Sequence, residues 1–370
     1  MTRPPFVSHI ARLPHLVPFV GPEAMERQRG RPFRARLGAN ESSFGPSPKA
    51  IEAMRLAADE NWKYADPENH DLRQALAVFH DVAADNIMVG EGIDGLLGLT
   101  CMMFLKPGDS VVTTEGAYPT FNFHVAAHGG RLSLVPMRDD KEDLSALLET
   151  AGRERAKLLY VSNPNSPMGT WWSGGAISNL IRDVPDGTLL VLDQAYVDTA
   201  PNGTAPALHV NNPNVIRYCT FSKAYGLAGA RIGYAIGEAD VIATFDNVRN
   251  HYGINRVGQI GALSALHDQT YLATAVAKIA AARERIASAA RDNGLTPITS
   301  AASFVAVDCG RDGIFAKRVL DALIARDVFV RKPVVPILER CIRVSCGRDQ
   351  DLDVFVTELP AALEAAKAQP

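Results

Sequence analysis

Little in this chain points to a membrane, a nucleic acid or an oxidising compartment. No run approaches the roughly 20 consecutive apolar residues that a membrane helix requires. The opening segment, MTRPPFVSHIARLPHLVPFV, interrupts its apolar stretches with Pro, His and Arg and has no small-residue cleavage site, which argues against a secretory signal. An excess of either charge is missing as well. With 38 Lys and Arg against 41 Asp and Glu the net charge is -3, so no basic field exists to draw in nucleic acid or an anionic bilayer. Cysteine is scarce and scattered. Cys101, Cys219, Cys309, Cys341 and Cys346 form no CxxC pair, and their odd number suits reduced core thiols of a cytoplasmic protein better than a disulfide frame or a zinc site. No metal is expected. Internal repeats, low-complexity runs and charge blocks are absent too.

What is present is an alternation of helix and strand. The 370 residues are enough for one large core and for a division into two domains. KAIEAMRLAADE and DLRQALAVFHDV have helical spacing. NIMVG, DSVVTTE, RLSLVPM, KLLYVSN, TLLVLDQA and VIRYCTFSK are short runs rich in Val, Ile, Leu and Thr, as buried strands are. Between them lie segments long enough for crossover helices, such as GIDGLLGLTCMMFL and GAISNLIRDV. This pattern predicts an α/β fold with a mostly parallel central sheet flanked by helices. DQTYLATAVAKIAAARERIASAARDNG, residues 268–294, is an Ala-rich stretch that reads as one long helix ended by Gly294. The strands and helices after it predict a smaller α+β domain. The expected division is an irregular N-terminal arm over 1–30, a small domain from 31–50 and 255–370, and a large domain over 51–254.

The chemistry concentrates at residues 215–237, VIRYCTFSKAYGLAGARIGYAIG. A hydrophobic strand ends in Ser222 and Lys223 and passes into a Gly-rich loop reaching Arg231. An amine beyond the carboxyl end of a parallel strand sits where open α/β sheets bind ligands. An ordinary lysine is more often a solvated surface residue, but the neighbours here are unusual. A guanidinium fork at Arg231 suits a phosphate dianion, and the glycines admit close backbone approach. Upstream, TLLVLDQAY places Asp193 and Tyr196 at the end of another strand, with Gln194 expected to face the opposite side of the sheet.

This segment resembles the lysine motif of fold-type I aminotransferases, which depend on pyridoxal 5'-phosphate (PLP), and most closely that of the histidinol-phosphate aminotransferase family. The match to SK-x-x-GLAG-x-R-x-G is nearly complete, and the resemblance extends in order from residue 37 to about 347. It implies that Lys223 is the catalytic residue carrying PLP as a Schiff base, with Ser222 and Arg231 on the cofactor phosphate. Asp193 is implied at the pyridine nitrogen and Tyr196 at the ring's phenolic oxygen. VGEGIDGLLGL matches a turn whose helix, around Gly92, Ile93 and Asp94, binds the phosphate through backbone N–H groups. AYPTF places Tyr118 against the ring. YVSNPNSPMGT is similar to the NPNNPTG loop, with Ser166 where the family's ring-contacting asparagine normally stands and with Asn165 swinging in, the serine hydroxyl or a water as the alternatives for that contact. NWKYADPENHDLR implies a homodimer in which Tyr64 reaches the neighbouring subunit's phosphate.

At the substrate end the resemblance implies Asn40, within LGANESSFGPSP, together with Arg331 and Arg343 as anchors for a carboxylate or phosphate. Phe19 stands where family members carry a tyrosine that meets the substrate phosphate. The expected reaction is a ping-pong exchange between an amino donor and an oxo acid, with histidinol phosphate and 2-oxoglutarate as the family's pair. An aromatic or other amino acid is the alternative donor. A PLP decarboxylase on the same scaffold is the alternative reaction, and a PLP-binding transcription regulator the non-catalytic one.

Overall fold

The computed structural model describes residues 3–14 and 19–368. The arm is not wholly irregular: after the short α1 (Ser8–Ala11), residues Pro22–Arg29 form α2. Both helix-end signals are in the sequence, since Pro22 occupies the first turn and Gly30 closes the helix at φ 69°. Strand β1 (Ala35–Arg36) follows, then α3 (Pro48–Ala58), whose N-cap Ser47 accepts a hydrogen bond from the Ala50 N–H, and α4 (His70–His80).

The large sheet is built by β2 (Ile87–Gly90), β3 (Ser110–Thr114), β4 (Arg131–Val135), β5 (Leu158–Ser162), β6 (Leu189–Asp193), β7 (Val215–Thr220) and β8 (Gly233–Ile236). Among the described residues these seven strands lie in the order β2-β8-β7-β6-β5-β3-β4. Only β8 runs against the others, being antiparallel to both β2 and β7. The mostly parallel sheet is therefore as expected. The extra strand β8 lies inside the segment whose glycines masked its short apolar run. Every residue of β3, β5, β6 and β7 is buried, because helices cover both faces. Those helices are α5 (Gly92–Phe104), α6 (Pro119–Ala127), α7 (Leu144–Glu154), α8 (Gly174–Asp183), α9 (Ala239–Thr244) and α10 (Arg256–Leu266).

A second core draws on Ala35 and Leu37 together with residues from Ile279 to Ala366. It comprises α11 (Gln269–Asp292), β9 (Thr296–Pro297), β10 (Phe304–Asp308), α12 (Gly313–Ala325), β11 (Val328–Phe329), β12 (Cys341–Ser345) and α13 (Asp349–Lys367). β10 lies antiparallel between β12 and β9, and β11 pairs in parallel with β1. α10 packs with α3 and α4 against the large sheet, with Ala262, Ala265 and Leu266 in one core with Ala50, Leu72 and Leu76. A boundary at residue 255 thus falls too early, since the small core begins only with α11. The close α3–α10 crossing needs Gly261, where a Cβ would stand 2.6 Å from Met54 Cγ. All five cysteines are free and buried. Among the described residues no helix is long and apolar enough to cross a membrane.

Candidate active site

Because every strand but β8 runs one way, the carboxyl ends of β2, β3, β5, β6 and β7 open on one edge of the sheet. That edge carries the residues singled out between Gly92 and Arg231. Asp193 ends β6 and is 6% exposed. Its Oδ2 accepts from the Tyr160 hydroxyl at 2.6 Å and its Oδ1 from the Ala195 N–H at 2.9 Å. Burial raises the Asp193 pKa, while those two donors and the Lys223 charge oppose the rise. Gln194 faces the other side, where its Oε1 accepts from Arg217 Nε at 2.6 Å.

Lys223 lies just past β7. Its Nζ donates to the Asn40 carbonyl at 3.2 Å and stands 5.5 Å from the centre of the Tyr196 ring. Asn40, held at φ 56°, donates from Nδ2 to the Tyr196 hydroxyl at 3.0 Å, and its Oδ1 accepts from Ser345 Oγ at 3.0 Å. One asparagine therefore ties β12 of the small unit to the lysine and tyrosine of the large one. Tyr118 caps α6, and burial pushes its phenol up to about 12, with Asp94, Asp193 and Tyr196 among the groups it feels.

The phosphate cradle can be tested directly. The first turn of α5 has no side-chain cap, so its N–H groups are open to an anion. Gly92 has φ +74°, and a Cβ there would stand 2.5 Å from a guanidinium nitrogen of Arg231. Gly233 admits the same turn, since its Cβ would lie 2.7 Å from the Ile93 nitrogen. Arg231 sits on that helix end; Ser222, 7% exposed, follows Phe221, whose N–H donates to the carbonyl of Ile232, the residue after Arg231, at 3.1 Å. A cation, uncapped N–H donors and a hydroxyl converging on a space kept free of side chains fit a phosphate ester. Asp193 and Lys223 fit a ring nitrogen and an aldehyde. The residues present therefore suit PLP.

At the outer end, Arg331 and Arg343 are joined by a backbone bridge, with N···O distances of 3.1 and 2.7 Å. The Arg343 guanidinium lies 5.2 Å from the centre of Phe304, and its Nε has no partner. Burial holds its pKa down to about 10, so it stays charged at neutral pH. Arg331 donates to the Val20 carbonyl at 3.1 Å and lies 4.3 Å from the centre of the Phe19 ring.

Two residues have partners outside this group. Tyr64 is 76% exposed and packs beside Tyr252 with ring centres 4.6 Å apart. Asn165, beyond the cis Asn163–Pro164 bond, donates from Nδ2 to Glu142 Oε1 at 2.7 Å and accepts from the Met168 N–H at 3.1 Å. Both ends of its amide are thus used, one by Glu142 outside the loop and one by Met168 within it, leaving Ser166 as the part-exposed residue at that turn. Sequence reasoning missed Glu142 and Tyr160. The signal for Tyr160 was a hydroxyl-bearing residue inside a fully buried strand, which needs an acceptor.

Glu142 is 2% exposed, and its carboxyl is pushed up to about 7 by burial against its hydrogen bonds from Asn165 and Ser162, with Asp193 adding to the rise. A raised folded pKa contributes stability that is complete below the unfolded value of 4.5 and is lost as pH rises through about 7. Glu142→Gln keeps the Oε1 acceptor and removes that loss. Between pH 4.5 and 8 its stability relative to wild type should improve by on the order of 3 kcal/mol in denaturant titrations of the apoprotein. Parallel curves for the two proteins would show that Glu142 does not titrate in this window.

Comparison with known proteins agrees with this geometry. Residues 35–359 match the family model for aminotransferase class I and II. The chain is 34% identical to histidinol-phosphate aminotransferase 1 of Mesorhizobium japonicum, over 91% of this chain and 92% of the relative. It is 32% identical to the histidinol-phosphate aminotransferase of Moorella thermoacetica, over 91% and 87% of the two. Among solved structures it resembles the histidinol-phosphate aminotransferase of Sinorhizobium meliloti in complex with pyridoxal-5'-phosphate, at 50% identity, 97% coverage of both chains and a TM-score of 0.95.

Proposed function

Since this chain belongs to the class I and II aminotransferases, we propose that it transfers an amino group from histidinol phosphate to an oxo acid, 2-oxoglutarate, with PLP held at the floor of the site described above. The observation that carries the substrate is the Arg331–Arg343 pair, bridged through its backbone, with Arg343 near enough to Tyr196 to feel its charge and neither arginine in a salt bridge among the described residues. Two neighbouring guanidinium groups without a carboxylate call for an anion, and the planar fork suits phosphate and carboxylate alike.

When bound, PLP supplies an electron sink for the pair left on the substrate carbon. The protein's share is to bind, orient and move protons. Arg231, Ser222 and the first turn of α5 would hold the phosphate, and Tyr118 would lie against the ring. Asp193 would keep a proton on the pyridine nitrogen, and Tyr196, oriented by Asn40, would donate to the phenolic oxygen. Lys223, whose amine would hold the cofactor, would also take up at Nζ the proton that leaves the substrate's α-carbon. Arg343 and Arg331 fix the donor's anionic end, so that the α C–H bond faces Nζ.

The outward-facing Tyr64, beside the exposed Trp62 and Tyr252, supports a homodimer in which Tyr64 completes the neighbour's phosphate site. The five unpaired thiols support a cytoplasmic setting. One observation favours a second donor: Phe19 offers Arg331 a ring face and no hydroxyl, which suits an aromatic amino acid. A donor panel separates the two. Glutamate formation from 2-oxoglutarate should be fastest with histidinol phosphate, and Arg343→Gln should raise its KM by about 100-fold with a smaller change in kcat. Faster turnover of phenylalanine would transfer the assignment to aromatic donors. Release of carbon dioxide without glutamate would replace transamination by decarboxylation.

A further inference from the structure

Asp193 is held from the neighbouring strand as well as from its own. β5 and β6 pair in parallel with Tyr160 opposite Val191 and Ser162 opposite Asp193, so Tyr160 and Asp193 lie diagonally on one face. The Tyr160 ring is fully buried and stacked on Phe121, with centres 4.4 Å apart and planes at 18°, which fixes the direction of its hydroxyl. That hydroxyl takes Asp193 Oδ2 at 2.6 Å while the Ala195 N–H takes Oδ1 at 2.9 Å. Each carboxylate oxygen thus has one donor and keeps lone-pair capacity for a ligand.

A buried tyrosine needs only some acceptor, and packing alone would be the plainer account. The partner it has is the carboxylate on which the cofactor's electron withdrawal depends. We propose that Tyr160 is a positioning residue for transamination, holding Asp193 through its hydroxyl in the orientation and ionised state that a protonated pyridine nitrogen requires. The inference rests on the functional reading above and deepens it.

The surrounding charges define what Tyr160 adds. Lys223 favours the Asp193 anion. Glu142, Tyr118, Tyr218 and Cys219 also feel that anion, and none of them supplies positive charge. Burial first of all, and then the facing Asp193, Glu142 and Tyr118, keep the Tyr160 phenol protonated and donating. It stabilises the anion without a charge that would compete with the pyridinium. Removing the hydroxyl makes Asp193 more basic and moves the shared proton from the ring nitrogen toward the carboxyl.

The test is the pH titration of the visible absorption of the PLP-loaded protein, together with the PLP dissociation constant. Tyr160→Phe keeps the stacked ring. It should raise the titration midpoint by about one unit and weaken PLP binding roughly tenfold. In an Asp193→Asn background the same substitution should move neither quantity further, since its route is through the carboxylate. An unchanged midpoint, even alongside a lower melting temperature, overturns the proposal in favour of packing. A shift that persists when both proteins carry the Asp193→Asn substitution overturns it as well. A measurement needing no Tyr160 variant is the infrared difference between loaded wild type and Asp193→Asn at neutral pH, where a protonated carboxyl band in place of a carboxylate band sinks the idea. Absence of any Lys223-dependent absorption in wild type would instead mark failure of the functional reading itself.

Discussion

Lys223→Ala should lower transamination by at least roughly four orders of magnitude, the joint loss of covalent attachment and of the proton shuttle. The structure explains why the loss should be chemical and not structural. Lys223 is only part-buried, and its amine makes a single hydrogen bond, to the Asn40 carbonyl. Asn40 keeps its contacts with Tyr196 and Ser345 when that bond is gone. The apoprotein should therefore melt within a few degrees of wild type. PLP should still associate through Arg231, Ser222 and the α5 turn, but without the absorption shift that attachment produces. Single-turnover assays with histidinol phosphate, compared with binding measured by equilibrium dialysis, separate the two effects. Residual turnover within a hundredfold of wild type would remove Lys223 from its assigned role.

The second large effect is expected at Asp193. Asp193→Asn should reduce kcat by about a thousandfold, in the range found when one preorganised electrostatic contact to developing charge is removed. An amide cannot hold a proton on the pyridine nitrogen by charge, yet it fills the same space. Its oxygen can accept from Ala195, and the Tyr160 hydroxyl can turn to accept from its NH2. Stability should move the other way. The folded pKa of Asp193 is raised by burial, so its contribution is complete below the unfolded value and declines as pH rises through the folded one. Without that loss the Asp193→Asn apoprotein should be at least as stable as wild type at neutral pH while binding PLP more weakly. A buried carboxylate kept for chemistry at a cost in stability is a common trade at active sites. A variant that lost stability and kept its kcat would assign Asp193 a structural role.

How much of this was legible in advance follows from the range of each interaction. The helix over 269–292 and its stop at Gly294 are local facts of propensity and capping. So are the buried strands that end in Asp193 and just before Ser222 and Lys223. The α2 helix was legible too, from Pro22 and Gly30, but its Arg-rich polarity hid it. Asn165 illustrates the opposite case. Residue type and motif position made it a candidate for the ring, and a carboxylate more than twenty residues upstream in the chain claimed its amide. Nothing local to the loop announces Glu142.

The sequence by itself determined the parallel α/β architecture, the aminotransferase family with its PLP cofactor, and the strand ends and glycine-rich turn on which Asp193, Lys223 and Arg231 stand. Strand periodicity, glycine-dependent turns and motif spacing are properties of contiguous residues. Tertiary structure alone decided which partners those residues have: Tyr160 on Asp193, Asn40 between Lys223 and Ser345, Arg331 beside Arg343, and α10 with the large core. Each of these joins residues far apart in the chain. Such pairings are set by how the sheet and helices pack, because a hydrogen bond or a buried contact depends on separation in space and carries no signature in the local pattern of either partner.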